Sequence, residues 1–214
     1  EGWASGEWIV AQEHRASATT EAALQAVSDT AMRTPGAIRE GATGQAVVAC
    51  SEGEWHVLPG RMASEILRLR GCEVSFIGPS IPADMLVEMF EFDPPAAVAV
   101  TCSMPLSLMG SWATTSALRE LGMTVICGGR GFGPDGRWAH AVGADLWCPT
   151  FEDGADALIE ALDQPRPAPR EPVGDADTVS EMHAIRRDGP TLVESAMSLS
   201  LTAWPWLRDS GDTV

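Results

Sequence analysis

Glu52-Gly53-Glu54-Trp55-His56-Val57-Leu58-Pro59-Gly60 is the stretch on which the fold turns. It follows an apolar run at 45–50 and precedes a helical pattern at 60–70. A strand, a loop presenting one histidine and then a helix form the opening of an open α/β sheet. Such sheets hold ligands in the crevice beyond the carboxyl ends of their strands. A single exposed imidazole there, with Glu54 two residues before it, is well placed to bind a metal, the carboxylate orienting the ring from behind.

Downstream the same unit repeats. Short buried runs at 45–50, 73–77, 96–101, 124–127 and 144–148 read as five strands. Helical patterns lie between and after them, at 60–70, 82–91, 105–121, 134–142 and 152–162. Met62, Ile66 and Leu69 fall on one face of the first of these helices, the spacing expected of a helix that covers a sheet. Strands alternating with helices predict a parallel sheet with right-handed crossovers. Five such units predict an α/β, flavodoxin-like (Rossmann-type) domain over 45–163.

The ends differ in character. Residues 7–32 are alanine-rich with few breakers, and Leu24, Val27 and Ala31 are spaced as on a helix that Thr34-Pro35-Gly36 stops. We expect a helical cap over 1–35, packed on the sheet domain, on a partner or on helices upstream, since residue 1 is Glu rather than Met. After Asp163 a Pro-rich linker begins, 164–172, with little helix or sheet tendency. A helix is expected near 178–187, then an apolar extension through Leu192, Leu201 and Trp204-Pro205-Trp206 that either docks or stays disordered.

The net charge of −16 argues against direct nucleic-acid binding, because phosphate contacts need Lys and Arg. It suits partners that are proteins or small ligands. No apolar run reaches transmembrane length. Five cysteines, none in a C-x-x-C pair, sit mostly in strand-like runs, predicting a reducing, cytoplasmic setting without zinc. Eight tryptophans and no tyrosine allow for a flat ligand, or for ordinary packing. His140 and His183 read as surface residues.

Three loops at carboxyl ends of predicted strands carry the chemistry. The first holds Glu54, His56 and Gly60, the second Thr101-Cys102-Ser103, the third Gly128-Gly129. Hydroxyls beside one strand and a side-chain-free pair beside the next would leave a narrow slot for a planar or rod-like group. This ordered trio resembles the cobalamin-binding motif, Asp/Glu-x-His-x-x-Gly, then Ser-x-Leu or Ser/Thr-x-Thr/Ser, then Gly-Gly. The match is Glu54-x-His56, Thr101-x-Ser103 and Gly128-Gly129, with Pro59 at the expected glycine and Gly60 one residue later. The resemblance implies that the dimethylbenzimidazole tail enters the slot and that His56 is the lower axial ligand of cobalt.

A second likeness lies upstream. Trp3, nine residues, then Glu13-His14 is similar to the signature of cobalamin-dependent photoreceptors and light-responsive transcriptional regulators, in which a four-helix bundle precedes the cobalamin domain. It implies part of such a bundle here, with Trp3, Glu13 and His14 over the upper corrin face. Ala4 stands where a histidine after the signature Trp can ligate cobalt in those regulators, so a bis-histidine product cannot form from that position.

The function implied is a light sensor. Photolysis of the Co–C bond, in adenosylcobalamin by preference or else methylcobalamin, with hydroxocobalamin as a further form, would shift helix packing. Contacts of a homo-oligomer or with a protein regulator would then change. A bilin pigment beside the cobalamin stays open. The alternative is a corrinoid carrier of a methyltransferase system, which needs His56 and the slot but an accessible upper face. A cobalamin-free interaction domain is the third reading.

Overall fold

The computed structural model describes residues 9–38 and 45–204. Five strands form one all-parallel sheet: β1 (Gln45–Cys50), β2 (Glu73–Gly78), β3 (Ala97–Thr101), β4 (Thr124–Gly128) and β5 (Leu146–Cys148). Their spatial order is β2-β1-β3-β4-β5, the flavodoxin-like order, which reverses between β1 and β3. The central strands are apolar without alternation because both faces are covered. Ala46, Val47, Val48 and Ala49 of β1 and Ala97, Val98 and Val100 of β3 are buried.

The helices are α1 (Val10–Arg33), α2 (Val57–Leu69), α3 (Ala83–Phe90), α4 (Leu108–Glu120), α5 (Arg137–Ala141), α6 (Phe151–Leu162) and α7 (Ala176–Ala203). α2 and α6 share one core with the sheet, built on Val48, Leu67, Ile126 and Leu158. The inward face of α2 is Gly60, Ser64 and Leu67, with the expected Ile66 packed beside them against the core; Leu69 is only half-buried and Met62 is exposed. Small residues take α2 close to the sheet. A Cβ on Gly60 would lie 2.7 Å from the Phe76 ring. The helix at 134–142 shrinks to α5, preceded by loop.

α1 buries no residue completely. Its half-buried positions, Glu13, Ala16, Ser17, Glu21, Leu24, Ser28 and Ala31, repeat at helical spacing, whereas Val27 is exposed. It docks on α2 through polar groups. The Ser28 hydroxyl donates to Glu65 Oε2 (2.5 Å), and the Arg61 guanidinium donates to Gln25 Oε1 (2.9 Å). Glu65 is itself buried and held by Arg68 (2.5 Å).

The Pro-rich segment has no regular structure but is not loose. Arg170 pairs with Asp145 and donates to the Met123 carbonyl (2.5 Å), and its backbone N–H donates to the Arg119 carbonyl (3.0 Å). Residues 173–204 belong to a separate compact unit. There α7 runs on through Gly189-Pro190, so the apolar stretch expected to dock or to be disordered is helical up to Ala203. Asp175 caps its start, accepting from the Thr178 N–H (2.7 Å). Trp206 lies outside the described residues.

Candidate functional site

The loop after β1 is pinned from three sides. The Ser51 N–H donates to the Thr101 carbonyl (3.0 Å), the Glu52 N–H to Thr114 Oγ1 (3.0 Å) and the Gly53 N–H to Ser80 Oγ (3.1 Å). Ser80 holds a left-handed φ of 50°, which costs a non-glycine residue on the order of 1 kcal/mol. The α4 backbone comes so near that a Cβ on Gly110 would collide with the Glu52 carbonyl.

Glu54 is the centre of this loop. Its side chain is 1% exposed, yet it accepts four hydrogen bonds. Oε1 takes the His56 backbone N–H (2.9 Å) and the His56 ring Nδ1 (2.5 Å). Oε2 takes the backbone N–H groups of Ser103 (2.6 Å) and Met104 (3.1 Å). Burial pushes the Glu54 carboxyl up, and these four donors outweigh it, so the net shift is downward and the group stays ionised at neutral pH. One carboxylate thereby ties the β1 loop to the β3 loop across the point where strand order reverses.

An ionised partner at Nδ1 assigns the proton to that nitrogen and leaves Nε2 as the lone-pair donor. The His56 side chain is 59% exposed at the N-terminus of α2. Pro59 fits here because it occupies the first turn, where a missing N–H breaks no helical bond. This accounts for the shifted glycine: Gly60 faces Phe76 and Cys50 Sγ, packing the helix, and is not part of the slot.

A cavity of about 630 Å³ opens between α2 and α6 over the carboxyl ends of β3 and β4. Thr101, Ser103, Gly128 and Gly129 all line it, with Pro59 from the first turn of α2. Its volume is that of a small-molecule site. Thr101 is buried, its hydroxyl directed to Cys50 Sγ (3.5 Å). Gly129 has φ +114°, and a Cβ there would collide with the Cys102 carbonyl, which already accepts from the Gly131 N–H (3.0 Å). Only glycine lets the β4 loop pass so close to the β3 loop.

Three large side chains on these loops escaped the sequence reading. Trp55 (72% exposed), Met104 (43%) and Leu106 (89%) stand on the two loops that Glu54 joins. Exposed apolar side chains on the loops beside the His56 ring suit a large, flat ligand. The only signal in sequence was their place beside the motif.

Glu13 and His14 lie on α1, both solvent-accessible. His14 Nδ1 pairs with Glu13 Oε2 (2.7 Å), and the Ser17 hydroxyl donates to Glu13 Oε1 (2.7 Å). These bonds, Ser17 first and His14 second, hold the Glu13 carboxyl below its usual range; the His56 imidazole is close enough to add a smaller pull. The start of α1 thus stands near the His56 loop. Trp3 lies outside the described residues.

A model of the B12 binding domain matches residues 44–159. This chain belongs to the B12-binding domain family. The monomethylamine corrinoid protein of Methanosarcina barkeri superposes with a TM-score of 0.63 at 17% identity, over 74% of each chain. A cobalamin-binding protein from Desulfitobacterium hafniense DCB-2 gives a TM-score of 0.51 at 24% identity, over 75% of this B12-binding chain and 74% of that one. At these identities the likeness is one of fold. No curated protein sequence matches.

The residues fit a corrinoid. An oriented imidazole offers Nε2, exposed apolar side chains stand on the same two loops, and a cavity lined by Gly128 and Gly129 reaches the first turn of α2. Among the described residues no helix is long and apolar enough to cross a membrane, and no cluster of three or more His, Cys, Asp or Glu could hold a metal by itself. A single protein nitrogen is what a metal already held by a macrocycle requires.

Proposed function

We propose that this chain is a corrinoid carrier, holding cobalamin with its base displaced and His56 Nε2 as the lower axial ligand. The observation that carries the reading is the Glu54 clamp: one buried carboxylate fixes the tautomer and direction of His56 while holding the loop that lines the slot. Bound cobalamin would supply a cobalt centre able to carry an alkyl group on its upper face. The protein's part is to orient the imidazole, seat the tail between α2 and α6, and keep that face reachable. The corrinoid proteins it resembles favour the carrier over the light sensor. So does α1, a helix with no fully buried residue, held to α2 by polar contacts.

One observation favours the sensor as second reading. Trp3-x9-Glu13-His14 precedes the motif, and the carboxylate of Glu13 lies within electrostatic reach of His56. The two are separated by loading the protein in darkness. A carrier loaded with methylcobalamin loses its methyl group to a thiol acceptor in the presence of a methyltransferase, without light. A sensor loaded with adenosylcobalamin changes spectrum and elution volume after green light. His56→Ala should abolish the histidine-ligated spectrum in either case, and a spectrum that survives would refute the ligand assignment.

A further inference from the structure

We propose that α7 is a dimerisation helix, pairing in parallel and in register with α7 of a second copy of this chain. Its apolar residues follow a heptad. Met182, Gly189, Ala196 and Ala203 recur at one seam position, and Ile185, Leu192 and Leu199 at the other, in alternating steps of three and four. Heptads sustained in this way, with charges on the flanking positions, are the pattern of a coiled coil. The face is uncovered. No residue of α7 is buried, and every residue from 191 to 199 is exposed, Leu192 and Leu199 by 62% and 70%. A stretch with this much serine and threonine is not held helical in water by propensity; packing of its apolar face stabilises it.

Charge names the occupant. Each copy carries −16, so two copies repel wherever their surfaces are acidic. From 195 to 203, however, α7 has no charged side chain, and two copies can meet there without burying a charge. Nearer its start the seam is flanked by Glu181, just before Met182, and Arg186, just after Ile185. A parallel, in-register pair sets Glu181 of each copy against Arg186 of the other, twice by symmetry. Antiparallel pairing over the same length lays the uncharged half on the charged half and forms neither pair. Gly189 fits the same seam. A Cβ there would meet nothing within 4 Å, so no contact in the described residues calls for glycine in mid-helix, whereas a closely approaching second helix does. Pro190 falls off the seam, on the outward side. No residue of the cobalamin site takes part, so dimerisation stands or falls apart from that site.

The test is sedimentation equilibrium of the full chain over a range of concentrations, in darkness and without added cobalamin. The parent should be a concentration-dependent dimer. Leu199→Glu should weaken it by about tenfold or more, since it puts a charge on the seam. Ser198→Glu adds the same charge one residue away and off the seam, and should leave the dimer within about threefold of the parent. Both positions are exposed, and an unchanged thermal midpoint shows that each variant keeps its fold. Leu199→Cys should join the two copies on mild oxidation with diamide, because a parallel seam places position 199 opposite itself within disulfide reach; the parent treated alike is the control. A parent that stays monomeric up to about 100 μM overturns the proposal, as does equal weakening by the two Glu variants. A Leu199→Cys dimer that fails to cross-link overturns the parallel register.

Discussion

Replacing Glu54 by Gln removes a charge and keeps the shape, so it isolates what the carboxylate does. Two N–H donors converge on each Glu54 oxygen, those of His56 on one and those of Ser103 and Met104 on the other. Whichever way the amide is turned, its NH2 faces two of these donors. Hydrogen bonds to a charged group contribute about 1.5–3 kcal/mol each, and a buried donor left unpaired costs about 1–3 kcal/mol. Glu54→Gln should therefore lower unfolding stability by about 3–5 kcal/mol, the range for breaking a buried charged cluster at one partner. Cobalamin affinity should fall about ten- to a hundredfold, as when the partner of a ligating histidine is lost. Urea denaturation and an absorbance titration read the two effects separately. His56→Ala is the contrast: its side chain is largely exposed, so binding should be lost with little change in stability. A Gln variant within about 1 kcal/mol of the parent would refute the clamp.

Gly129→Ala should destabilise by about 2 kcal/mol or more, since it meets both a left-handed φ and the Cys102 carbonyl; a thermal midpoint within error of the parent would exclude that close approach. Stability should also fall at both ends of the pH scale. Glu54 is held below its ordinary 4.5, so its contribution is present above that value and is lost as pH drops through the folded-state pKa. Burial pushes the Cys50, Cys102 and Cys127 thiols up from 9.0, so the folded state keeps its proton where the unfolded chain ionises. Denaturation midpoints should decline as pH rises past 9.0, and a flat alkaline limb would contradict the burial of these thiols.

The parallel sheet was readable because strands covered on both faces lose their alternation and become plain apolar runs between helical periods. Five alternating units pointed to the flavodoxin-like arrangement, whose strand order the sheet has. The face of α2 was legible only at Ile66, because Gly60 and Ser64 go inward by virtue of smallness, a property that a search for large apolar residues passes over. The expected helix near 178–187 fell short of α7, which continues through Gly189-Pro190 to Ala203. Within the site, Glu54 and His56 could be paired from their spacing. The other half of the clamp could not, since its donors are backbone amides 49 and 50 residues away that every residue type supplies alike. Trp55, Met104 and Leu106 were hidden for a related reason, since exposure is a property of the folded surface.

The slot occupies ground that a simple α/β domain fills with leucine and valine. Alanines on α2, β3 and α6 leave space unfilled between the two helices and the sheet, so the interior is unfinished on that side. Under the carrier reading, the nucleotide tail completes the packing that the polypeptide withholds. Vitamin binding then adds to folding stability in proportion to the logarithm of ligand concentration over Kd. The amount of intact protein in a cell would follow the supply of corrinoid, and starvation for the vitamin would thin out the carrier before any gene is switched off.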